Sequence, residues 1–406
     1  MNTSAMNKAT AAQPAGAAPK KSDVSPFREN SILIGTSLAD RPVQRQFAAL
    51  AHELTERGHR VALLVHGTEQ DRGYVNPRVD VLRWPSPRPT RLADAHFFHR
   101  LLRQRLPCCL ISNFGADNIM IAVGALRRVP IRIRWCHTMS SQKDLDSPAG
   151  ARFRLWLLRL RARLVYRLVT HHVANSEAMK QDLISSFGVP ERRCVVFANG
   201  LEDPLVSPAA LCARVPPAPS KLICVGRLTW SKGQDILIRA VARLQSDLPE
   251  LTLEFVGDGS ARGDYEKLAH ELGVASRCIF RGILPHSEVL EKMAAAWATI
   301  VPSRAEAFGL VNIESMAVGT PVLGSRTGGI AEIVRDCLDG FLFTPGDDRQ
   351  LAARMLELAR GPDLRAQMSV NCRRRFLERY ELARAVSLQS EWLSRLIEGL
   401  NGSYRL

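Results

Sequence analysis

Two glutamates with seven residues between them, Glu306 and Glu314, stand in the segment Thr299-Ile-Val-Pro-Ser-Arg-Ala-Glu-Ala-Phe-Gly-Leu-Val-Asn-Ile-Glu-Ser-Met-Ala-Val-Gly-Thr-Pro-Val-Leu323. The pattern predicts a strand ending near Pro302, a loop holding Glu306, and a helix that begins at Gly309 or Leu310 and stops at Gly319. Both carboxylates can then point into one crevice at the end of a strand. A carboxylate accepts hydrogen bonds from sugar hydroxyls, and beside an anomeric carbon it stabilises developing positive charge. Gly309 lets backbone approach a ligand, and the free amides and dipole of the helix's first turn make an anion site, with phosphate the expected tenant. Taken singly, Glu314 also reads as an ordinary acid near a helix N-terminus and Glu306 as a solvated loop residue.

The elements that must position these groups follow from hydrophobic patterning. Ser31-Ile-Leu-Ile-Gly35 reads as a buried strand, a loop follows to Arg41, and Val43, Phe47, Leu50 and Leu54 recur at helical spacing until Gly58. Further strands are expected at Arg60 to Val65, Leu110 to Ser112, Ile131 to Cys136, His172 to Asn175 and Val195 to Ala198. Strand and helix in alternation with short connections imply a parallel sheet crossed by helices. Five prolines between 204 and 219 mark a linker, after which the pattern restarts with Leu222 to Val225. The expected division is a disordered tail at 1–30, poor in large apolar side chains, a first domain at 31–203, a linker at 204–219, a second domain at 220–380, and a C-terminal helix at 381–406 that packs back on the first domain. The fold class is α/β with two doubly wound, Rossmann-like domains, whose ligands belong beyond the carboxyl ends of the strands.

The 406 residues carry 55 Lys and Arg against 40 Asp and Glu, a formal net charge of +15. Residues 1–200 hold 30 bases and 15 acids, and residues 201–406 hold 25 of each, so the surplus lies wholly in the first half. An anionic partner is implied for that half. Nine cysteines without a C-x-x-C pair suggest neither a disulfide framework nor a zinc site, and a reducing cytosol is the expected home. No run of about 18 apolar residues is present to span a bilayer, so any membrane contact should be peripheral, on the inner face of the cell membrane. The stretch Arg152 to Arg167 contains six arginines. On a helical wheel Arg152, Arg159, Arg163 and Arg167 form one stripe with Trp156, beside an apolar face of Phe153, Leu157, Leu160, Leu164 and Leu168. The stripe suits an anionic membrane or phosphorylated lipid acceptor; the plainer reading is a helix whose apolar face meets the core and whose charged side is solvated. Nucleic acid is not an expected partner, because several exposed aromatics and a known module are both missing.

Glu306-x-Phe-Gly followed by Glu314 resembles the hallmark of the retaining GT-B glycosyltransferases of glycosyltransferase family 4. Companion segments in the expected order are Val225-Gly-Arg-Leu228 with Lys232-Gly233, Val256-Gly-Asp-Gly259, Phe280-Arg-Gly282, Gly319-Thr-Pro-Val322, Thr327-Gly-Gly-Ile-Ala-Glu332 and Gly340-Phe-Leu-Phe343 with Pro345-Gly346. Asn175-Ser176 and Asn199-Gly200 extend a weaker likeness into the first half. The resemblance implies a nucleotide-sugar donor held by the second domain and a glycan or lipid-linked acceptor held by the first. Arg227 and Lys232 would clamp the diphosphate, Glu314 the ribose, Glu306 the donor sugar hydroxyls, and the backbone of Phe308, Gly309 and Leu310 the phosphates. Gly226, Gly257, Gly282 and Ile283 would complete the donor site, and the loop from Arg281 to Leu284 would frame the base. His137, just past a strand, would position or polarise the reacting sugar. Many family members have paired glycines after the first strand, whereas the loop beginning at Gly35 has one, and its contact with acceptor or diphosphate is accordingly open. No cofactor and no metal are expected, since Arg227, Lys232 and the helix amides would stabilise the departing diphosphate in place of a cation. The implied activity is hexosyl transfer in surface polysaccharide or lipopolysaccharide assembly; the competing readings are a nucleotide-sugar epimerase or hydrolase, and a basic membrane- or nucleic-acid-binding protein on a decayed transferase fold.

Overall fold

The computed structural model describes residues 28–403 except 39–40, 71–72, 74, 114–115, 149 and 206–219. The expected tail up to residue 27, and the expected linker from 206 onward, lie outside the described residues.

The first domain runs β1 (Arg28–Leu38), α1 (Pro42–Glu56), β2 (Arg60–Gln70), β3 (Asp80–Arg83), α2 (Leu92–Arg105), β4 (Pro107–Asn113), α3 (Asp117–Leu126), β5 (Ile131–Cys136), α4 (Ser140–Leu145), α5 (Arg152–Arg167), β6 (His171–Ala174), α6 (Glu177–Phe187) and β7 (Cys194–Val196). All pairs are parallel, in the order β3-β2-β1-β4-β5-β6-β7. Every residue of β4 is buried, as a strand covered by helices on both faces requires. α1 opens on Pro42, whose missing amide costs nothing in a first turn, and buries Val43, Phe47, Leu50 and Leu54. The strand expected at Ser31 to Gly35 begins three residues earlier and ends three later. Gly35 is therefore not in a loop but inside β1, paired with Leu64 and Ser112; a Cβ there would lie 2.2 Å from Sδ of Met120.

The second domain runs β8 (Lys221–Val225), α7 (Gln234–Arg243), β9 (Thr252–Val256), α8 (Arg262–Glu271), β10 (Cys278–Gly282), α9 (His286–Ala295), β11 (Ala298–Val301), α10 (Leu310–Ala317), β12 (Val322–Ser325), α11 (Gly328–Ile333), β13 (Gly340–Phe343), α12 (Asp348–Arg360) and α13 (Pro362–Arg379), with sheet order β10-β9-β8-β11-β12-β13. Its core gathers Leu237, Leu253, Phe255, Ile300, Leu323, Phe341 and Phe343, none more than 1% exposed. Both sheets reverse strand order beside their first strand, which opens a crevice at the carboxyl ends.

After α13 the chain crosses back. Leu201 and Tyr380 to Leu382 exchange backbone hydrogen bonds of 2.9 and 3.0 Å, and α14 (Leu382–Ser403) then lies along α1. Leu382, Val386, Leu393 and Ile397 share one cluster with Val43, Phe47, Leu50 and Leu54, and the amide of Gln389 accepts from Gln46 at 3.1 Å within it. Among the described residues no helix is long and apolar enough to cross a membrane.

Candidate active site

The floor of the crevice is backbone. At the carboxyl ends of β8, β9 and β10, Gly226, Gly257 and Gly282 all take positive φ, at 147°, 129° and 74°. The Gly257 amide donates to the Gly282 carbonyl at 2.8 Å, and a Cβ on Gly257 would stand 2.0 Å from the Gly226 carbonyl oxygen. A side chain at Gly257 is excluded by both strain and space. The opposite wall is the N-terminus of α10, where Gly309 at φ 86° turns the chain and Phe308 anchors it by burying its ring edge-on to Tyr380. Phe308 and Leu310 thus lend backbone to the site while Phe308's side chain belongs to the core. The positions of Gly309 and of the strand before it are those the sequence pattern predicts, because a glycine between an apolar run and a helix has few alternatives.

Lys232 meets Glu306 between these walls, Nζ to Oε2, at 2.5 Å, with the two side chains 19% and 9% exposed. The Ser303 hydroxyl donates to the same oxygen at 3.2 Å, and Gln142 of the first domain donates to Oε1 at 3.3 Å. The carboxylate is thus held by partners on three segments, which fix its orientation before any ligand arrives and leave acceptor capacity on Oε1. Lys232 comes from a 3-10 turn, Trp230–Lys232, ended by Gly233 at φ 68°, where a Cβ would be 2.1 Å from the Pro302 carbonyl oxygen. Arg304 braces that turn with a two-pronged pair to Asp235 and its guanidinium 3.6 Å over the Trp230 ring. Glu314, in the second turn of α10, is buried and bonded to His286 Nε2 at 3.2 Å.

The first domain closes the crevice. His137, just past β5, sits edge-on to Phe47, and burial followed by the nearby Arg134 charge lowers its pKa to about 3. The imidazole is neutral at physiological pH, so it can offer one hydrogen-bond donor and one acceptor but no cation. Oδ1 of Asn175, Oδ1 of Asn199 and Oε1 of Gln234 are buried without a hydrogen-bond partner among the described residues. Each unmet acceptor costs about 1–3 kcal/mol, which a hydroxyl-bearing ligand in the crevice can return. One acid from each domain clasps the halves together. Asp146 accepts from the Ser231 amide at 3.0 Å and hydroxyl at 2.9 Å and lies 3.8 Å from Arg227, and Glu332 accepts from the first two amides of α6 at 2.9 and 2.8 Å. Asp144, beside them, pairs instead with Arg159 of α5. The Ser176 hydroxyl, which caps α6, also donates to the Ala307 carbonyl across the boundary.

One cavity of about 280 Å³ gathers His137, Asn175, Asn199, Lys232, Gln234, Glu306, Phe308, Gly309 and Leu310. Arg227, Gly226, Gly257, Gly282 and Ile283 lie at the neighbouring strand ends outside it, and Glu314 lies outside it on α10; Ile283 is exposed. Gly35 is walled into β1 and takes no part in the crevice. Asp146, Gln142, Ser231 and His286 escaped the sequence pattern, since only the docking of two domains, or the turn of α9 toward α10, brings them near the glutamates. Of the α5 residues, Trp156, Arg159, Arg163 and Arg167 stand away from this cavity, and the Arg152 side chain lies outside the described residues. The apolar face expected to meet the core does not: Phe153, Leu157, Leu160, Leu164 and Leu168 are exposed, while Arg159 and Arg163 turn toward the domain body. A wheel gives the order of residues around a helix but not which sector the neighbours occupy.

Residues 43–203 match the model for Glycosyltransferase Family 4, and residues 214–375 match that for glycosyl transferases group 1. A D-inositol 3-phosphate glycosyltransferase of Thermobispora bispora is 32% identical over 66% of this chain and 66% of its own. The chain spans about half to two thirds of the length of the curated relatives it matches. Among solved structures, Anabaena Alr3699/HepE in complex with UDP aligns over 90% of this chain and 100% of its own with a TM-score of 0.69 at 20% identity. WaaG, a glycosyltransferase involved in lipopolysaccharide biosynthesis, aligns over 89% and 98% with a TM-score of 0.66 at 19% identity.

Proposed function

Because the chain belongs to the glycosyl transferases of group 1, we propose that it moves a sugar from a nucleoside diphosphate donor to a hydroxyl of a glycan or lipid-linked acceptor, with retention at the anomeric carbon. The observation that carries this reading is the Lys232–Glu306 pair held between the glycine crossing of β8 to β10 and the N-terminus of α10. A leaving diphosphate needs fixed positive potential where its charge develops. Lys232, Arg227 and the first amides of α10 supply it, and the proposal assigns that work to them without a metal. Glu306, already oriented by Ser303 and Gln142, accepts from donor sugar hydroxyls, and Glu314, steadied by His286, accepts from the ribose. His137 stays neutral beside the reacting sugar and serves as a hydrogen-bonding group. Surface polysaccharide or lipopolysaccharide assembly is the pathway class that suits such an acceptor.

The experiment is a melting-temperature panel across UDP, GDP, ADP and dTDP, followed by turnover with the matching sugar donors and NMR of the anomeric proton in the product. One nucleotide should raise the melting temperature, and chelator should leave turnover unchanged. Transfer that gives an inverted anomer would overturn the stereochemical assignment. Release of free sugar at the same rate with and without acceptor would favour hydrolysis.

A further inference from the structure

Seven of the fifteen large apolar side chains exposed among the described residues lie within residues 153–168: Phe153, Trp156, Leu157, Leu158, Leu160, Leu164 and Leu168. All but Leu158 fall on one side of α5 at roughly 100° per residue. Phe153 is 70% exposed, Leu164 57% and Trp156 55%, and the rings of Phe153 and Trp156 stack with centroids 6.0 Å apart. The other side of the helix holds it to the domain. Tyr166 packs on His172 and Phe187, beneath the Arg134 guanidinium at 4.3 Å, Arg159 pairs with Asp144, and Arg163 donates to the Ser186 carbonyl at 3.0 Å. Arg154 and Arg161 border the apolar strip along one edge and Arg167 along the other; all three are exposed, and α5 contains no acid.

A concentrated apolar strip on a surface marks something that covers it. A second copy docked through the same strip would bring two arginine-edged helices together with no acid on either, which costs repulsion at every close pair. A bilayer bearing anionic headgroups meets both demands, receiving Phe153, Trp156 and the leucines at the acyl boundary and the arginines among phosphates. We propose that α5 is the helix by which this protein lies on an anionic phospholipid surface, its apolar strip inserted and its flanking arginines at headgroup level. Arg159 and Arg163 take the opposite part, tying the inserted helix to the body of the domain.

The test is flotation of the full chain with phosphatidylcholine vesicles, with and without phosphatidylglycerol. It reads binding without donor or acceptor, so its failure would leave the transfer reading untouched. The chain should float with phosphatidylglycerol vesicles, far less with phosphatidylcholine alone, and less as salt rises. Phe153→Ser/Trp156→Ser/Leu160→Ser should lower the bound fraction about tenfold, with the melting temperature kept, because these side chains touch little of the domain. Arg154→Gln/Arg161→Gln should weaken the preference for anionic vesicles. The proposal is overturned by a wild-type chain that stays unbound, by a triple variant that floats as well as wild type, or by a wild-type dimer that the triple variant dissolves while neither binds vesicles.

Discussion

The two halves share an architecture but make their contributions to the crevice from different materials. In the second, the strand ends are built from glycine backbone at positive φ and from one helix N-terminus, with Lys232 and Glu306 locked between them. In the first, the contributions are side chains, among them His137, Asn175, Asn199, Gln142 and Asp146, brought in from separate loops. The glycine of the first strand plays no comparable part, since Gly35 makes room for Met120 within the core. A backbone-built site tolerates few residue types at each position, whereas a side-chain-built site can be rebuilt for another ligand without moving the strands.

The comparison is tested most severely at Lys232. Lys232→Ala should lower turnover about 10²–10³-fold, as loss of one preorganised charge at a reacting centre does, and leave the melting temperature within a few degrees. Near-normal turnover would remove this lysine from the chemistry. Gly257→Ala comes next: with a carbonyl 2.0 Å from the new Cβ and φ at 129°, the change should cost at least about 2 kcal/mol of stability and weaken nucleotide binding with it, as read by denaturant titration and calorimetry. Gly35→Ala should cost about 1–2 kcal/mol through overpacking against Met120 yet leave nucleotide affinity unchanged, which separates a packing glycine from a ligand-facing one.

The smallest effect concerns acid. His137 and His172, both in the first half, have pKa values lowered to about 3, chiefly by burial. Their unfolded forms take up a proton below the ordinary value near 6.5 while the folded forms do not, so stability is full above that value and falls as the pH drops toward 3. For the fully buried His172 the loss between pH 7 and pH 5 should be on the order of 1–2 kcal/mol. Hydrogen exchange at the two pH values should show protection falling first in β5 and β6. Equal loss in the strands of the second sheet would contradict a first-half origin.

How much of this was legible in the sequence follows the same division. Gly309, Glu306 and Glu314 could be placed on their loop and helix because glycines and apolar runs fix backbone locally. The alternation of strand and helix likewise gave both sheets, although β1 is longer at each end than its apolar run, since its pairing with β2 and β4 continues past the buried residues. The clasps made by Asp146 and Glu332 were invisible, although Glu332 ends one of the companion segments, because a carboxylate that holds a neighbouring domain looks like any loop or helix acid until the domains are docked. The outward face of α5 was hidden for a related reason: periodicity identifies a stripe, and only the surroundings decide whether it faces protein.

The return of α14 across the molecule bears on how the chain is made. Gln46 and Gln389, hydrogen-bonded in the first domain's core, are 343 residues apart. At a synthesis rate of 5–20 residues per second, about 20 to 70 s separate their appearance at the ribosome. Through that interval α1 lacks the cover that Leu382, Val386, Leu393 and Ile397 later provide. The first domain is begun early but finished late, and a nascent chain in this state is a natural client for a chaperone that binds exposed apolar helices.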